Sequence, residues 1–248
     1  MNRRTRGEET DRIVQQPASA AVRSPVRGFV DGRLIDSDLD RLELESARRA
    51  LRLLHERIPP TEMAVLLAPD IERSDAQWRE WAVASAGTWQ PCFVDLEATE
   101  ITKTEFLAWW SDALDDLHGI MYPAFPEHYL FDWAETAAGE RRLMVVEELG
   151  HVPFRMYCEY GPEWAPAAPL PGYEPVSVGV GRLADGTDTV RFMSQIRQDS
   201  GLLRLHAGMY VGSAVPARVV EAHQDQLLVE WTRWIEMAVG HAAAARTA

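Results

Sequence analysis

Three side chains that could take part in acid–base or metal chemistry lie in segments with unusual patterns. His128 follows two prolines in the segment PAFPEHYLFDW and begins a predicted strand. Glu159 lies in RMYCEYG, on a predicted strand whose opposite face is apolar, and His223 lies on the apolar stripe of the last predicted helix. This stripe packs His223 against the sheet, where an imidazole needs a polar partner. Because the chain has only two cysteines, any metal must take its ligands from the seven histidines and the carboxylates.

Composition and charge exclude several classes of protein. The 248 residues include 25 Lys and Arg against 38 Asp and Glu, and the formal charge of −13 repels a phosphate backbone, so we expect no nucleic-acid partner. No apolar run reaches the roughly 18 residues that a membrane span needs, and the amino terminus lacks the apolar core of a secretory signal. We therefore expect a cytoplasmic protein with no membrane association. The GxSxG elbow, the Walker loop and the dinucleotide fingerprint in its required context are absent from the sequence.

The first half of the chain is predicted to be helical after a disordered tail. Residues 1–28 are rich in Arg, Gln, Ser, Ala and Pro and have almost no apolar periodicity, which is typical of a tail. Apolar residues then recur at three- and four-residue spacing, which predicts an N-terminal helical region over residues 29–119, with helices at 36–58, 74–86 and 102–119. Thr102 and Glu105 form a capping box at the start of the third helix.

The second half is predicted to form a sheet followed by a long helix. Period-two alternation predicts antiparallel strands over residues 128–133, 143–149, 152–160, 176–183, 189–197 and 202–212. A helical stripe then runs from about Val215 to Gly240. We therefore predict one α+β domain over residues 29–248, whose sheet and C-terminal helix (120–240) resemble the helix-grip fold and enclose a deep pocket. The nine Trp, seven Phe and six Tyr are numerous enough for some of them to line that pocket.

Three segments, YPAFPEHYLFDW, RMYCEYG and EAHQDQLLVEW, resemble in order and spacing the metal-binding segments of the diacetylphloroglucinol hydrolase family, to which phloretin hydrolase also belongs. The resemblance covers residues 120–238. It implies a helix-grip fold and a zinc-dependent hydrolysis of the carbon–carbon bond between an acyl group and a phenolic ring. It also implies that His128, Glu159 and His223 are metal ligands. The family's further glutamate, one helical turn after the last histidine, is Leu227 in this chain.

The implied ligand set is compatible with two kinds of metal chemistry. Two neutral imidazoles and one carboxylate suffice for a catalytic zinc ion, which keeps a position open for water, and the same set binds iron in non-haem oxygenases. In a hydrolase the departing ring must be protonated, and His206, Tyr210 and Tyr122 are the candidate acids because they lie in or beside the predicted sheet. His206 and Tyr210 point to the same side of their strand.

Other functions remain open at this point. A cyclase, an isomerase or an iron oxygenase of secondary metabolism could retain the pocket without the complete zinc site, and Leu227 favours such a change. A carrier of hydrophobic ligands would use the aromatic residues for binding alone, with His128 and His223 as buried structural residues. In each case we expect a small aromatic or polyketide-like molecule as the partner, and a homodimer stays open.

Overall fold

The computed structural model describes residues 29–30, 33–34, 39–121, 124–125, 127–135, 139, 141–150 and 152–247. The predicted tail, residues 1–28, lies outside this part of the chain. The chain divides into two compact units, residues 1–47 and 48–248. In the first unit, strand β1 (Phe29–Val30) pairs antiparallel with strand β2 (Arg33–Leu34), and helix α1 (Leu39–Arg57) begins.

The second unit contains the remainder of α1 and three further helices, α2 (Pro60–Ser85), α3 (Lys103–Asp115) and α4 (Ala217–Thr247). Helix α2 begins at Pro60 rather than at the predicted residue 74, with a proline in the first turn, where its missing N–H costs nothing. The predicted capping box of α3 is confirmed. The Glu105 backbone N–H donates to the Thr102 hydroxyl at 3.2 Å, and the Thr102 N–H donates to the Glu105 carboxylate at 2.8 Å.

Seven antiparallel strands form one open, curved sheet in the order β3-β9-β8-β7-β6-β5-β4. The strands are β3 (Trp89–Ala98), β4 (His128–Glu135), β5 (Arg141–Glu148), β6 (Pro153–Tyr160), β7 (Glu174–Arg182), β8 (Asp188–Asp199) and β9 (Leu202–Gly212). Strands β4 to β9 follow one another as a meander, which agrees with the predicted strands. Strand β3 was not predicted, and it pairs with β9 from Trp89 opposite Gly212 to Ala98 opposite Leu203. The α+β class, the antiparallel sheet and the long C-terminal helix are therefore confirmed.

The helices cover the sheet unevenly. Helix α4 packs against β3 and β9 and also contacts α3, and together these elements form the main apolar core. Three tryptophans join α3 to α4: the Trp110 ring stacks on Trp231 with centroids 5.1 Å apart and meets Trp234 edge-on at 5.2 Å. Helix α2 contributes Trp78 to this core. It also packs on β4 and β5 through a small separate cluster, formed by Met63, Ile71, Leu130 and Val146. In the described part of the chain, none of the helices is long and apolar enough to cross a membrane.

Candidate metal centre

A cavity of about 570 Å³ lies between the sheet and helices α3 and α4. Its wall is mostly apolar and includes Trp110, Phe131, Met156, Phe192, Leu227, Trp231 and Trp234. Glu147, His223 and Glu230 also line it, and all three are buried. The cavity therefore combines a large apolar surface with a small group of ionisable side chains.

The side chains of His128, Glu147 and Glu230 form a compact buried group. One ligand atom from each residue lies within 4.8 Å of the other two. The His128 Nε2 atom lies 3.2 Å from Glu230 Oε1 and 3.6 Å from Glu147 Oε2. The exposed fractions of the three residues are 0%, 5% and 4% for His128, Glu230 and Glu147. Charged groups are seldom buried to this degree unless a counter-charge or a metal accompanies them.

Three elements position this group. His128 is the first residue of β4 and pairs with Glu147 of the neighbouring strand β5, so that the two side chains lie side by side. Glu147 follows the inward-facing residues Leu143 and Val145 by the two-residue period of a strand, which turns its carboxylate toward the cavity. Glu230 reaches the same point from α4, on the helix face that also carries His223.

The electrostatics of the group are unfavourable without a cation. Burial raises the pKa of the Glu147 carboxyl, the negative charge of Glu230 raises it further, and the His128 imidazole only partly opposes these effects. Glu148, the next residue along β5, adds another negative charge, and its own pKa is raised to about 7 by burial and by Glu127. A divalent cation would remove the repulsion between the two buried carboxylates.

The geometry and the donor types fit a metal ion. Zinc bonds to histidine nitrogen and carboxylate oxygen are about 2.0 to 2.2 Å long, so two tetrahedral ligands of one ion lie about 3.4 Å apart. The observed separations of 3.2 and 3.6 Å from His128 Nε2 are close to that value. Nitrogen and oxygen donors suit zinc and also ferrous iron. The group could therefore hold either ion.

His223 lines the same cavity but is not among the residues whose ligand atoms lie within 4.8 Å of one another. Its side chain is 1% exposed and lines the cavity. Burial lowers its pKa to about 4, and the nearby His128 lowers it too, so the ring is neutral at physiological pH. The Nδ1 atom lies 3.0 Å from Gln226 Oε1, whereas Nε2 has no hydrogen-bond partner among the residues that the structure describes.

The structure brings His128 and His223 to the cavity region but places Glu159 elsewhere. Cys158 and Tyr160 line the cavity, and Glu159 lies between them in the strand. Its side chain therefore projects from the opposite face of β6. Its carboxylate pairs with Arg182 and lies 3.3 Å from an Arg142 nitrogen. Glu147 occupies the position beside His128 that the resemblance implied for Glu159.

The candidate acids of the sequence do not meet at the cavity either. The His206 Nδ1 atom lies 2.9 Å from an Asp95 oxygen, and the ring stacks on Phe93 with centroids 4.4 Å apart. Tyr210 contacts the same Phe93 ring edge-on, at 5.0 Å. His206 and Tyr210 are not among the described residues that line the cavity. Tyr122 lies outside the residues that the structure describes.

Two of the three grouped residues, Glu147 and Glu230, were not singled out from the sequence, although each leaves a signal there. Glu147 lies in phase with Leu143 and Val145, so the strand period places a carboxylate on an apolar face. Glu230 follows His223 by two helical turns, so the two side chains share a face of α4. Leu227, which is uncharged, lies between them on that face. In each case the spacing of a charged residue within an apolar stripe indicates a buried functional group.

Comparison of the chain with protein-family models, with curated proteins and with solved structures finds no match. The class of this protein is therefore described from its fold and its site alone. It is an α+β protein with an open, curved antiparallel sheet and a long C-terminal helix. A buried group of one histidine and two carboxylates, which could hold a metal ion, lies beside an apolar cavity.

Proposed function

We propose that this chain is a metal-dependent hydrolase of the helix-grip type that cleaves the carbon–carbon bond between an acyl group and a phenolic or polyketide-like ring. The observation that carries the proposal is the buried group of His128, Glu147 and Glu230 beside an apolar cavity. The resemblance of the segments around His128 and His223 to the diacetylphloroglucinol hydrolase family supports it.

The metal would be held by His128, Glu147 and Glu230, and the resemblance implies His223 as a further ligand. A zinc ion bound there supplies Lewis acidity, which lowers the pKa of water toward about 7 and polarises a carbonyl group. The apolar surroundings strengthen these electrostatic effects because little water competes with them. A donor set without cysteine also leaves ferrous iron as an alternative.

The cavity suits a flat aromatic substrate. Its volume of about 570 Å³ lies in the range of about 300 to 1,000 Å³ that is usual for small-molecule sites. The Trp110 and Trp231 rings, stacked at 5.1 Å, and the Phe192 ring give the wall aromatic surfaces for an arene. An acyl group that points toward Glu147 and Glu230 would bring its carbonyl to the ionisable end of the cavity.

Hydrolysis of such a substrate adds water across the carbon–carbon bond. The acyl carbon gains the hydroxyl group and becomes a carboxylic acid, and the ring carbon gains a proton as the bond breaks. On the described cavity wall, Tyr160 is the phenol that could donate this proton. Tyr160 is 47% exposed, and its hydroxyl keeps its proton at neutral pH because the pKa of a tyrosine phenol is ordinarily about 10.

Metal analysis together with an activity assay tests the proposal. Protein purified without chelator is analysed for zinc and iron, and cleavage of an acylphloroglucinol is followed by loss of the aryl-ketone absorbance. We expect about one zinc per chain and hydrolysis, both lost in Glu147→Gln and both kept in the matched control Glu159→Gln, whose carboxylate pairs with Arg182 on the other face of the sheet. A wild-type protein without bound metal, or full hydrolysis by Glu147→Gln, would overturn the proposal.

One observation favours a second candidate. His128 and His223 are both buried, and their two imidazoles together with one of the two carboxylates would make the ligand set of a non-haem iron oxygenase. Iron rather than zinc in the purified protein, with oxygen consumed when the aromatic substrate is added, would select this function. Tight binding of an aryl ketone by a metal-free protein, without turnover, would instead indicate a carrier.

A further inference from the structure

We infer that Ser177 and Ser194 form a subsite that recognises a hydroxyl group on the aromatic ring of the ligand. The inference rests on the proposed function for the choice of an aryl ketone as that ligand. Both serines line the cavity, and they pair directly opposite each other on the adjacent strands β7 and β8. Directly opposite residues of an antiparallel pair have Cβ atoms about 4.5 to 5.5 Å apart, so one small polar group can reach both hydroxyls.

An aromatic platform lies next to the two serines on the same face of the sheet. Tyr160 pairs with Gly179, and Gly179 pairs with Phe192. The Phe192 ring packs against Gly179, where a larger side chain would overlap it, and the Tyr160 ring meets it edge-on with centroids 5.1 Å apart. Ser177 and Ser194 each lie two residues along their strands from this row, so they project from the same face at a distance of about 6.8 Å.

An arene that stacks on Phe192 can carry a ring hydroxyl to the two serines. The Phe192 ring is half-buried and lines the cavity, so part of its surface is available for the offset or edge-on contacts that aromatic rings prefer. The spacing of about 6.8 Å between the platform and the serines is close to the reach of a ring hydroxyl together with a hydrogen bond of about 2.7 Å. The two rows of side chains therefore suit the ring and its hydroxyl in turn.

The Ser194 hydroxyl has a proton that requires an acceptor. Its Oγ atom accepts a hydrogen bond from the Gly208 N–H at 3.3 Å. A serine hydroxyl carries one donor and two acceptor lone pairs, so this contact leaves the proton for another group. Ser194 is 3% exposed, and a buried hydroxyl that donates to nothing costs free energy. The oxygen of a ligand hydroxyl would supply the acceptor.

The other groups on the wall favour a neutral ligand hydroxyl over an anion. The described residues of the cavity wall include Glu147 and Glu230 but neither Arg nor Lys. An anionic ligand group would therefore be buried without a counter-charge. A phenolic hydroxyl keeps its proton at neutral pH and can both accept and donate. It can accept from Ser194 and donate to Ser177 at the same time.

Ligand binding to the metal-free protein tests the inference. Butyrophenone and its 3-hydroxy and 4-hydroxy derivatives are titrated by isothermal titration calorimetry into wild type, Ser177→Ala, Ser194→Ala, the double variant and Ser74→Ala. Ser74 is the matched control, because it is 4% exposed and lies on α2, outside the described cavity wall. We expect a hydroxylated ketone to bind wild type and Ser74→Ala about 3- to 10-fold more tightly than butyrophenone, as one hydrogen bond allows. The double variant should lose this preference and bind butyrophenone within twofold of wild type.

A purely structural role of the serines gives a different result. Equal loss of affinity for all three ketones in the double variant would show that the serines support the wall, and it would overturn the inference. Equal affinities for the three ketones in wild type would also overturn it. Ser177→Ala leaves the bond from Gly208 to Ser194 in place, so it separates recognition of the ligand from a disturbance of the pairing between β8 and β9. This variant should lose part of the preference, and an undiminished preference would contradict the inference.

The outcomes for the subsite and for the proposed function are separate. A preference for the hydroxylated ketone in a protein that has neither zinc nor hydrolytic activity would support the subsite and refute the proposed hydrolase. Zinc binding and hydrolysis without this preference would support the proposed function and refute the subsite.

Discussion

Replacement of Glu147 by glutamine should stabilise the metal-free protein, although it destroys the proposed metal site. Glu147 and Glu230 present carboxylate oxygens within 4.8 Å of one another in a buried environment. With an effective dielectric constant of about 20, two unit charges at that separation repel by about 3.5 kcal/mol. The raised pKa of Glu147 shows that part of this cost is avoided by protonation. We therefore expect Glu147→Gln to gain about 2 kcal/mol, which corresponds to about 4 to 8 °C in Tm for a chain of this size.

The order of stabilities should reverse when zinc is added. A ligand at 100 times its dissociation constant stabilises the folded protein by about 2.7 kcal/mol, and only wild type can bind zinc in this way. Thermal unfolding after treatment with chelator, and again with excess zinc, measures both differences. Glu159→Gln is the control, and it should keep the gain from zinc because Glu159 lies outside the site. A Glu147→Gln variant that is no more stable than wild type without metal would show that the two buried carboxylates do not repel each other appreciably. Equal stabilisation of the variant and wild type by zinc would show that Glu147 is not a ligand.

Three further predictions follow from other features. The pKa of Glu147 is higher in the folded protein than in the unfolded chain, so the metal-free protein should lose stability as the pH rises from about 5 through that raised pKa. Urea titrations at several pH values should show a smaller loss of stability in Glu147→Gln. Tyr160→Phe should lower kcat for cleavage of the acyl–ring bond by about 10²- to 10⁴-fold and leave the zinc content unchanged. His206 pairs with Asp95 away from the cavity, so the control His206→Ala should leave kcat nearly unchanged. Thr102→Ala removes the capping box of α3 and should cost about 1 kcal/mol in chemical unfolding, and an unchanged midpoint would show that the cap contributes nothing.

Much of the fold could be predicted because its elements carry strong periodic patterns. The meander from β4 to β9 follows period-two alternation and turn residues, and the stripe of α4 and the capping box of α3 are equally local signals. Strand β3 was missed because Pro91 interrupts its pattern and because its partner β9 lies more than a hundred residues later, at a distance that local patterns do not report.

The candidate site was harder to predict because the choice among its carboxylates depends on strand register. His128 and His223 were found from their apolar surroundings, and both lie in the region of the cavity. Glu159 and Glu147 both occur in strands that alternate, but only Glu147 is in phase with the inward-facing residues of its strand. Because a shift of one residue turns every side chain to the other face, the resemblance of a short segment could not decide between them. Glu230 could not be assigned to the site from local patterns, because its place there depends on the packing of α4 against the sheet, which is a tertiary contact.

Two proposed ligands belong to adjacent strands and the third to α4, so an ion held by all three would act as a cross-link between the helix and the sheet. The same helix supplies Leu227 and Trp231 to the cavity wall. Occupancy of the cavity and occupancy of the metal site would then be thermodynamically coupled, and each ligand would raise the affinity for the other by the same factor. Removal of the metal should accordingly increase amide hydrogen exchange in the central turns of α4.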